Sequence, residues 1–231
     1  MFKQAATVVA GVAACAGASV TFYDSRADWQ ASVSDPIVTE GFEGREGIPA
    51  LGSPSVFDSG LRVAELTDDV TGRVEAQDGQ NPGNNLFNTT QGGSQFLRFG
   101  VFDEFGTYTV SFKTPTLSNA FGYDISDWEP GATGGGKAIG LFRDGQLVFD
   151  TFFASDQGNG LVDLPPIFVG LTSDIAFDEV QIVIPSFSTL GPANEDRVDF
   201  VAFDEVSFTV PAPAASGVFV LAGIAARRRR A

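Results

Sequence analysis

The sequence contains no histidine and only one cysteine, Cys15, close to its N-terminus. Without histidine, the chain lacks the usual general base, the serine-protease type of triad and most transition-metal sites. Because no cysteine follows residue 15, the rest of the chain cannot form a disulfide, and its core, helped at most by a metal ion, must hold the domain together. Catalytic signature motifs are also lacking, so the chain is predicted not to be an enzyme.

Basic residues are scarce outside the two ends of the chain. Residues 19–210 contain nine basic against 29 acidic residues, a net charge of −20. Such a surface repels nucleic acid and anionic membranes and attracts divalent cations. We therefore expect no nucleic-acid partner, although solubility outside the cell would explain the acidic surplus equally well.

Helical periodicity is nearly absent, whereas 22 phenylalanines and 27 glycines favour short strands joined by tight turns. Apolar and polar residues alternate with a period of two at 108–112, and Asp144-Gly145 is a strong hairpin turn signal. The predicted strands are 20–23, 37–43, 61–66, 95–99, 108–112, 120–125, 138–142, 146–152, 167–171, 175–184 and 198–210.

Many strands without long helices between them predict an all-β fold, a two-sheet antiparallel sandwich with a jelly-roll-like topology. Residues 19–210 are long enough for one domain with one sizeable core. A short N-terminal helix is predicted at 25–32, where Ser25 and Asp28 have capping-box spacing. A second, hydrophobic helix is predicted in the C-terminal segment.

The N-terminus has the features of a secretory signal peptide, predicted to span residues 1–18. Lys3 supplies the charge, 5–14 the apolar region and 16–18, Ala-Gly-Ala, the small-residue cleavage site. Residues 12–15, Val-Ala-Ala-Cys, also fit a lipobox that would lipidate Cys15. Ordinary cleavage is favoured, because a lipid anchor beside a C-terminal membrane helix would be redundant.

The chain closes with a proline motif, an apolar run at 215–226 and a basic cluster. The motif comprises Val210, Pro211, Ala212, Pro213 and Ala214, and the cluster comprises Arg227, Arg228, Arg229 and Arg230. The arginines would hold the end of the apolar helix on the cytoplasmic side of a membrane. The run is shorter than the ~20 residues of a stable span, so a transient, processed segment fits better than a permanent anchor.

This tail, residues 211–231, resembles the PEP-CTERM sorting signal of exported bacterial proteins, with Ala212 where the family has a glutamate between the two prolines. The resemblance implies that an exosortase, a membrane protease, reads the signal. It also implies transient insertion of the C-terminal helix into the inner membrane. The processed protein would then reside at the cell surface or outside the cell.

One acidic residue interrupts an apolar strand face. The segment AFDEV occurs twice, at 176–180 and at 202–206. In the predicted strand 198–210, Asp204 would be the only charged residue on the face formed by Val198, Phe200, Ala202, Val206, Phe208 and Val210. A lone buried carboxylate costs several kcal/mol, so Asp204 needs a partner or a bulge that turns it outward. The same question applies to Asp178.

Three short motifs are similar to segments of exported β-sandwich proteins with such tails and, more loosely, of calcium-bearing carbohydrate-binding modules. The motifs are TEGFE at 39–43, AFGYD at 120–124 and FDEVSF at 203–208. In those modules an early acid and a late aspartate hold a structural calcium ion. The resemblance implies Ca²⁺ as a cofactor and Glu43 and Asp204 as its ligands. The alternative is that both acids cap turns or face solvent.

Two further groups of residues have candidate chemistry. Trp128 and Asp127, beside a glycine-rich loop, are candidate sugar-binding residues, although a place for Trp128 at an end of the core is favoured. The acids Asp124 and Asp127, and those at 195–199, could serve glycoside hydrolysis, but solvated loops explain them as well.

The leading hypothesis is a non-enzymatic structural or adhesive unit of the cell surface or of an extracellular polysaccharide matrix, processed at its C-terminus. The alternative is a calcium-stabilised carbohydrate-binding module with a polysaccharide partner. A carboxylate-based glycosidase ranks last.

Overall fold

The structure is a computed structural model that describes residues 19–44, 54–66, 70–76, 89–91, 93–101, 105–126, 136–154, 167–187 and 199–211. These residues form one helix and eleven strands. In chain order they are β1 (Val20–Tyr23), α1 (Arg26–Ser32), β2 (Ile37–Glu40), β3 (Ser55–Val56), β4 (Arg62–Glu65), β5 (Val70–Ala76), β6 (Gln95–Val101), β7 (Phe105–Ser126), β8 (Gly136–Arg143), β9 (Gln146–Ala154), β10 (Ile167–Phe187) and β11 (Asp199–Thr209).

The strand pairings are antiparallel and fall into two halves that share the long strands β7 and β10. The first half of β7 pairs with β4 and with the second half of β10, which continues to β8 and β9. The second half of β7 pairs with β11 and with the first half of β10. On this side β11 also pairs with β2 and β6, and β10 also pairs with β1.

Aromatic side chains from the two halves meet in one core. Phe112, on the first half of β7, lies with its ring centroid 5.8 Å from that of Phe121 and 5.3 Å from that of Phe203 on the other half. All three rings are fully buried. The eleven described strands are linked into one mostly antiparallel sheet, which confirms the predicted all-β class.

Both copies of the AFDEV segment lie at irregularities of the sheet. Phe177 and Val180 are both in the core, as are Phe203 and Val206. In a regular strand, residues three positions apart face opposite sides, so each segment needs an extra residue to bury both. Register shifts indeed occur between Phe177 and Glu179 and between Asp204 and Ser207.

The prediction that β11 has one continuous apolar face is therefore wrong. Val201 and Phe203 face the core before the bulge, and Val206 and Phe208 face it after the bulge. Glu205 absorbs the irregularity with a φ of 45°. Alternation through residue 204 predicted a continuous face, but one inserted residue exchanges the two faces of the strand.

The N-terminal helix forms where its cap predicts it. Ser25 is the N-cap, and its Oγ accepts a hydrogen bond from the Asp28 backbone N–H at 3.3 Å. Trp29 is fully buried and packs the helix on the sheet through Phe168 and the Leu171 carbonyl.

Other boundaries differ from the prediction. The predicted strands at 108–112 and 120–125 are one strand, β7, and those at 167–171 and 175–184 are one strand, β10. Strands β3 and β5 were not predicted. In the part of the chain that the structure describes, no helix is long and apolar enough to cross a membrane. The predicted signal peptide, 1–18, and the predicted C-terminal helix lie outside the described residues.

Candidate functional site

The Asp204 carboxylate is buried, 1% exposed, beneath the segment at 89–91. Five groups donate hydrogen bonds to it. They are the backbone N–H of Thr89 (2.6 Å), Thr90 (2.9 Å) and Glu205 (2.8 Å), and the hydroxyls of Thr89 (3.1 Å) and Thr90 (3.1 Å to Oδ1, 3.2 Å to Oδ2). Asp204 thus has the partners that its burial requires, and the bulge does not turn it to solvent.

Glu43 holds the other end of the same segment. Its Oε1 accepts hydrogen bonds from the backbone N–H of Ser94 and of Gln95, each at 2.9 Å. The two acids predicted to act together therefore do share a target, which is the backbone around residues 89–95. They attach this segment to β11 on one side and to the end of β2 on the other.

This arrangement provides N–H and O–H donors where a calcium ion would need further oxygen ligands. Within the described ranges, no group of three or more acidic, cysteine or histidine side chains is placed to hold a metal ion. Calcium bound by Glu43 and Asp204 stays a prediction, and it would require Thr89 and Thr90 to turn their donors away.

Burial raises the pKa of Asp204 to about 6, while the hydrogen bonds from Thr89, Glu205 and Thr90 act in the opposite direction. The two threonine hydroxyls can rotate and accept, so the protonated acid also finds partners here. The three backbone N–H groups keep their acceptor in both states. Both protonation states of Asp204 therefore find hydrogen-bond partners in this segment, and burial favours the neutral form.

A second charged cluster, centred on Arg26, joins α1 to the two long strands β7 and β10. The Arg26 guanidinium lies 3.0 Å from an Asp124 carboxylate oxygen and 3.6 Å from a Glu205 carboxylate oxygen. It donates to the Ser207 hydroxyl at 3.1 Å and stacks 4.6 Å above the Phe168 ring. Asp124, one of the predicted glycosidase-type carboxylates, is thus an ion-pair partner in this structure.

A cleft of about 520 Å³ opens at the bend of β7. Four residues of β7, at 114–117, are inserted opposite the single residue Asp178 of β10. The Thr114 hydroxyl fixes this insertion by donating to the backbone oxygens of Thr116 (2.7 Å) and Asp178 (3.2 Å). The inserted residues form one wall of the cleft.

Among the described residues, four charged side chains line this cleft. Arg62 and Lys113 are directly opposite on β4 and β7. The Lys113 ammonium lies 3.2 Å from an Asp178 oxygen, and the other Asp178 oxygen accepts the Asp144 N–H at 2.9 Å. Neither the Arg62 nor the Asp144 side chain has an ion pair or hydrogen bond with any described residue. The cleft therefore presents one neutralised ion pair together with an available cation and an available anion.

The remaining predicted site residues are mostly beyond the described ranges. Trp128 and Asp127 lie there, as do Ala212, Pro213, Ala214 and the four terminal arginines. Val210 follows β11, and its N–H donates to the Pro36 carbonyl at 3.0 Å. Pro211, next to it, is exposed.

Arg62 and Lys113 were not predicted as site residues, and Asp144 was predicted only as part of a hairpin turn. One signal was available, because residues 19–210 contain only nine basic residues and each is therefore conspicuous. Their proximity, however, depends on strand register, which the sequence pattern did not provide.

No family model and no curated protein matches the chain. Among solved structures, the K2 cleaved adhesin domain of Lys-gingipain aligns at 14% identity over 76% of this chain and 100% of that one, with a TM-score of 0.43. A carbohydrate-binding module of the β-sandwich superfamily aligns at 12% identity over 73% and 63%, with a TM-score of 0.40. The family 11 module from Clostridium thermocellum aligns at 6% identity over 78% and 98%, with a TM-score of 0.35. At this level no functional assignment follows from them.

Proposed function

We propose that this protein is a non-enzymatic, exported β-sandwich that acts as an adhesive unit at the cell surface or in an extracellular matrix, and that it binds polysaccharide through the cleft at the bend of β7. The signal-like N-terminus and the tail motif support export. The cleft at the bend of β7 is the observation that carries the binding role.

The cleft has the volume of a small-ligand site. Its volume, about 520 Å³, is within the range of about 300–1,000 Å³ that small-ligand sites occupy. Apolar surface from Val56, Pro115 and Leu117 lies beside its charged groups. Asp178 is held by Lys113 and by the backbone N–H of Asp144, so its carboxylate is fixed in the cleft wall.

Binding is tested by affinity gel electrophoresis of the purified full chain, with a panel of neutral and acidic polysaccharides in the gel. We expect retention of at least one polysaccharide on an affinity gel, and its loss when Leu117→Asp and Pro115→Asp are combined in the cleft wall. A chain that retains none of the panel would overturn the proposed binding function. The wild-type and variant melting temperatures provide the control for folding.

We also propose that the tail is a processing signal read by an exosortase-type protease, with transient insertion into the inner membrane. The proline motif ahead of a short apolar run and four arginines supports this. Mass spectrometry of the exported protein should find the chain ending near residues 212–214. Recovery of a mature form that retains Arg227 and Arg230 would contradict the proposal.

A further inference from the structure

The geometry of the cleft points to a more specific ligand. We propose that it selects saccharides that carry a carboxylate, the uronic acids, with Arg62 binding the carboxylate and Asp144 accepting sugar hydroxyls. This inference rests on the proposed polysaccharide binding and adds the chemical class of the ligand.

Arg62 is the residue of the cleft that would bind an anion. It stands directly opposite Lys113, and like charges at such a position are unfavourable in an antiparallel pair. Asp178 neutralises Lys113, whereas Arg62 is exposed and has no charged partner among the described residues. The domain has an excess of acidic residues, and the Arg62 guanidinium is a local positive charge that no described residue neutralises. Its planar fork matches a carboxylate through two parallel hydrogen bonds.

Asp144 explains why the ligand should be a sugar and not a simple anion. It occupies the first position of the two-residue turn between β8 and β9, with a φ of 51°, and its N–H is held by Asp178. Its exposed carboxylate accepts hydrogen bonds, and a compact anion such as sulfate offers it no donor. A uronic acid residue offers both requirements together, because it has one carboxylate for Arg62 and several hydroxyl donors for Asp144.

The apolar wall completes the match. Val56 is 53% exposed and lies at the cleft with Pro115 and Leu117. A sugar ring presents C–H groups on its faces, and these groups can pack on such a surface while the hydroxyls at the ring edge reach the polar groups. An ion without an apolar face would leave this wall in water.

The test is calorimetric titration of the purified full chain with tetragalacturonate and with its fully methyl-esterified form, which has the same sugar skeleton but no charge. We expect the acid to bind at least about tenfold more tightly than the ester, the equivalent of one charge-assisted hydrogen-bonded contact. Arg62→Gln should remove this preference. Arg143→Gln, an exposed arginine outside the cleft lining, is the matched control and should retain it.

The outcomes separate this inference from the proposed function. Equal binding of acid and ester, or an acid preference that survives Arg62→Gln, overturns the inference but leaves polysaccharide binding intact. Equal binding of a sulfated carrageenan tetrasaccharide or of oligoglutamate overturns the choice of a carboxylated sugar. If the chain binds no saccharide of the panel, the proposed function itself fails. Thermal melting of both variants establishes that they fold.

Discussion

Replacing Trp29 with alanine should lower the free energy of unfolding by about 3–5 kcal/mol, the range for truncating a buried tryptophan. The indole is fully buried between the helix and the sheet. Its Nε1 donates to the Leu171 carbonyl at 3.0 Å, and its ring lies 5.7 Å from that of Phe168. The substitution would empty this site and leave α1 with little apolar contact to the sandwich.

Two glycines make room for the indole. Gly122 and Gly170 are directly paired on β7 and β10. A Cβ atom at Gly170 would lie 2.8 Å from two indole carbons, a distance that real Cβ atoms do not show. The site is thus shaped for a large flat ring, and its neighbours cannot easily close the cavity that alanine would leave.

The free energy of unfolding should be measured by urea unfolding followed by circular dichroism. Fluorescence is unsuitable, because removing Trp29 would itself alter the signal. Trp29→Phe should lose less, because it keeps a ring and sacrifices the hydrogen bond and part of the contact area. Gln30→Ala, at an exposed position of the same helix, should change the free energy of unfolding by no more than about 0.5 kcal/mol. A loss below 1 kcal/mol for Trp29→Ala would contradict the role assigned to the indole.

The helix and the strands were predictable to different degrees because they depend on different ranges of the sequence. The signals for α1 are local, since Ser25 and Asp28 are three residues apart and the cap forms between them. The bulges are local too, and in retrospect the spacing of Phe203 and Val206 indicates the one on β11. Two apolar residues three positions apart, separated by Asp-Glu, are incompatible with an uninterrupted strand that buries both.

The partners of Asp204 were harder to predict. Its need for a partner follows from charge and burial alone. The donors Thr89 and Thr90 are more than a hundred positions away, and nothing in their own sequence marks them as ligands of a carboxylate. Calcium was predicted from a resemblance, whereas the structure satisfies the same electrostatic requirement with hydrogen-bond donors.

The cleft illustrates the same limit. Arg62, Lys113, Asp144 and Asp178 come from four separate parts of the chain and meet only because β4, β7 and β10 pair in one register. The insertion at 114–117 is what opens the space between them. A strand pattern read from the sequence gives the elements but not the register, so it does not place these side chains together.

Replacing Asp204 with alanine should lower the free energy of unfolding by about 2–4 kcal/mol, because the donors of Thr89, Thr90 and Glu205 lose their common acceptor. The segment around residues 89–95 would then keep its hydrogen bonds to Glu43 but lose those to Asp204. Asp150→Ala, an exposed aspartate of β9, is the matched control and should have little effect. If the two variants unfold at the same urea concentration, the hydrogen bonds to Asp204 do not stabilise the fold.

Asp204→Asn separates the charge of this residue from its hydrogen bonds. The amide keeps an acceptor for the backbone N–H groups, so we expect a smaller loss than for alanine.

The pKa of Asp204, raised to about 6 by burial, exceeds the 3.8 of an unburied aspartate, so between these pH values the folded protein keeps a proton that the unfolded chain has released. The contribution of Asp204 to stability should therefore be largest below pH 4, fall by about 3 kcal/mol in total as the pH rises through 6, and level off near pH 7. Urea unfolding of wild type and Asp204→Asn at half-unit steps from pH 4 to 7 measures it. A difference between the two proteins that does not change across this range would show that Asp204 titrates elsewhere.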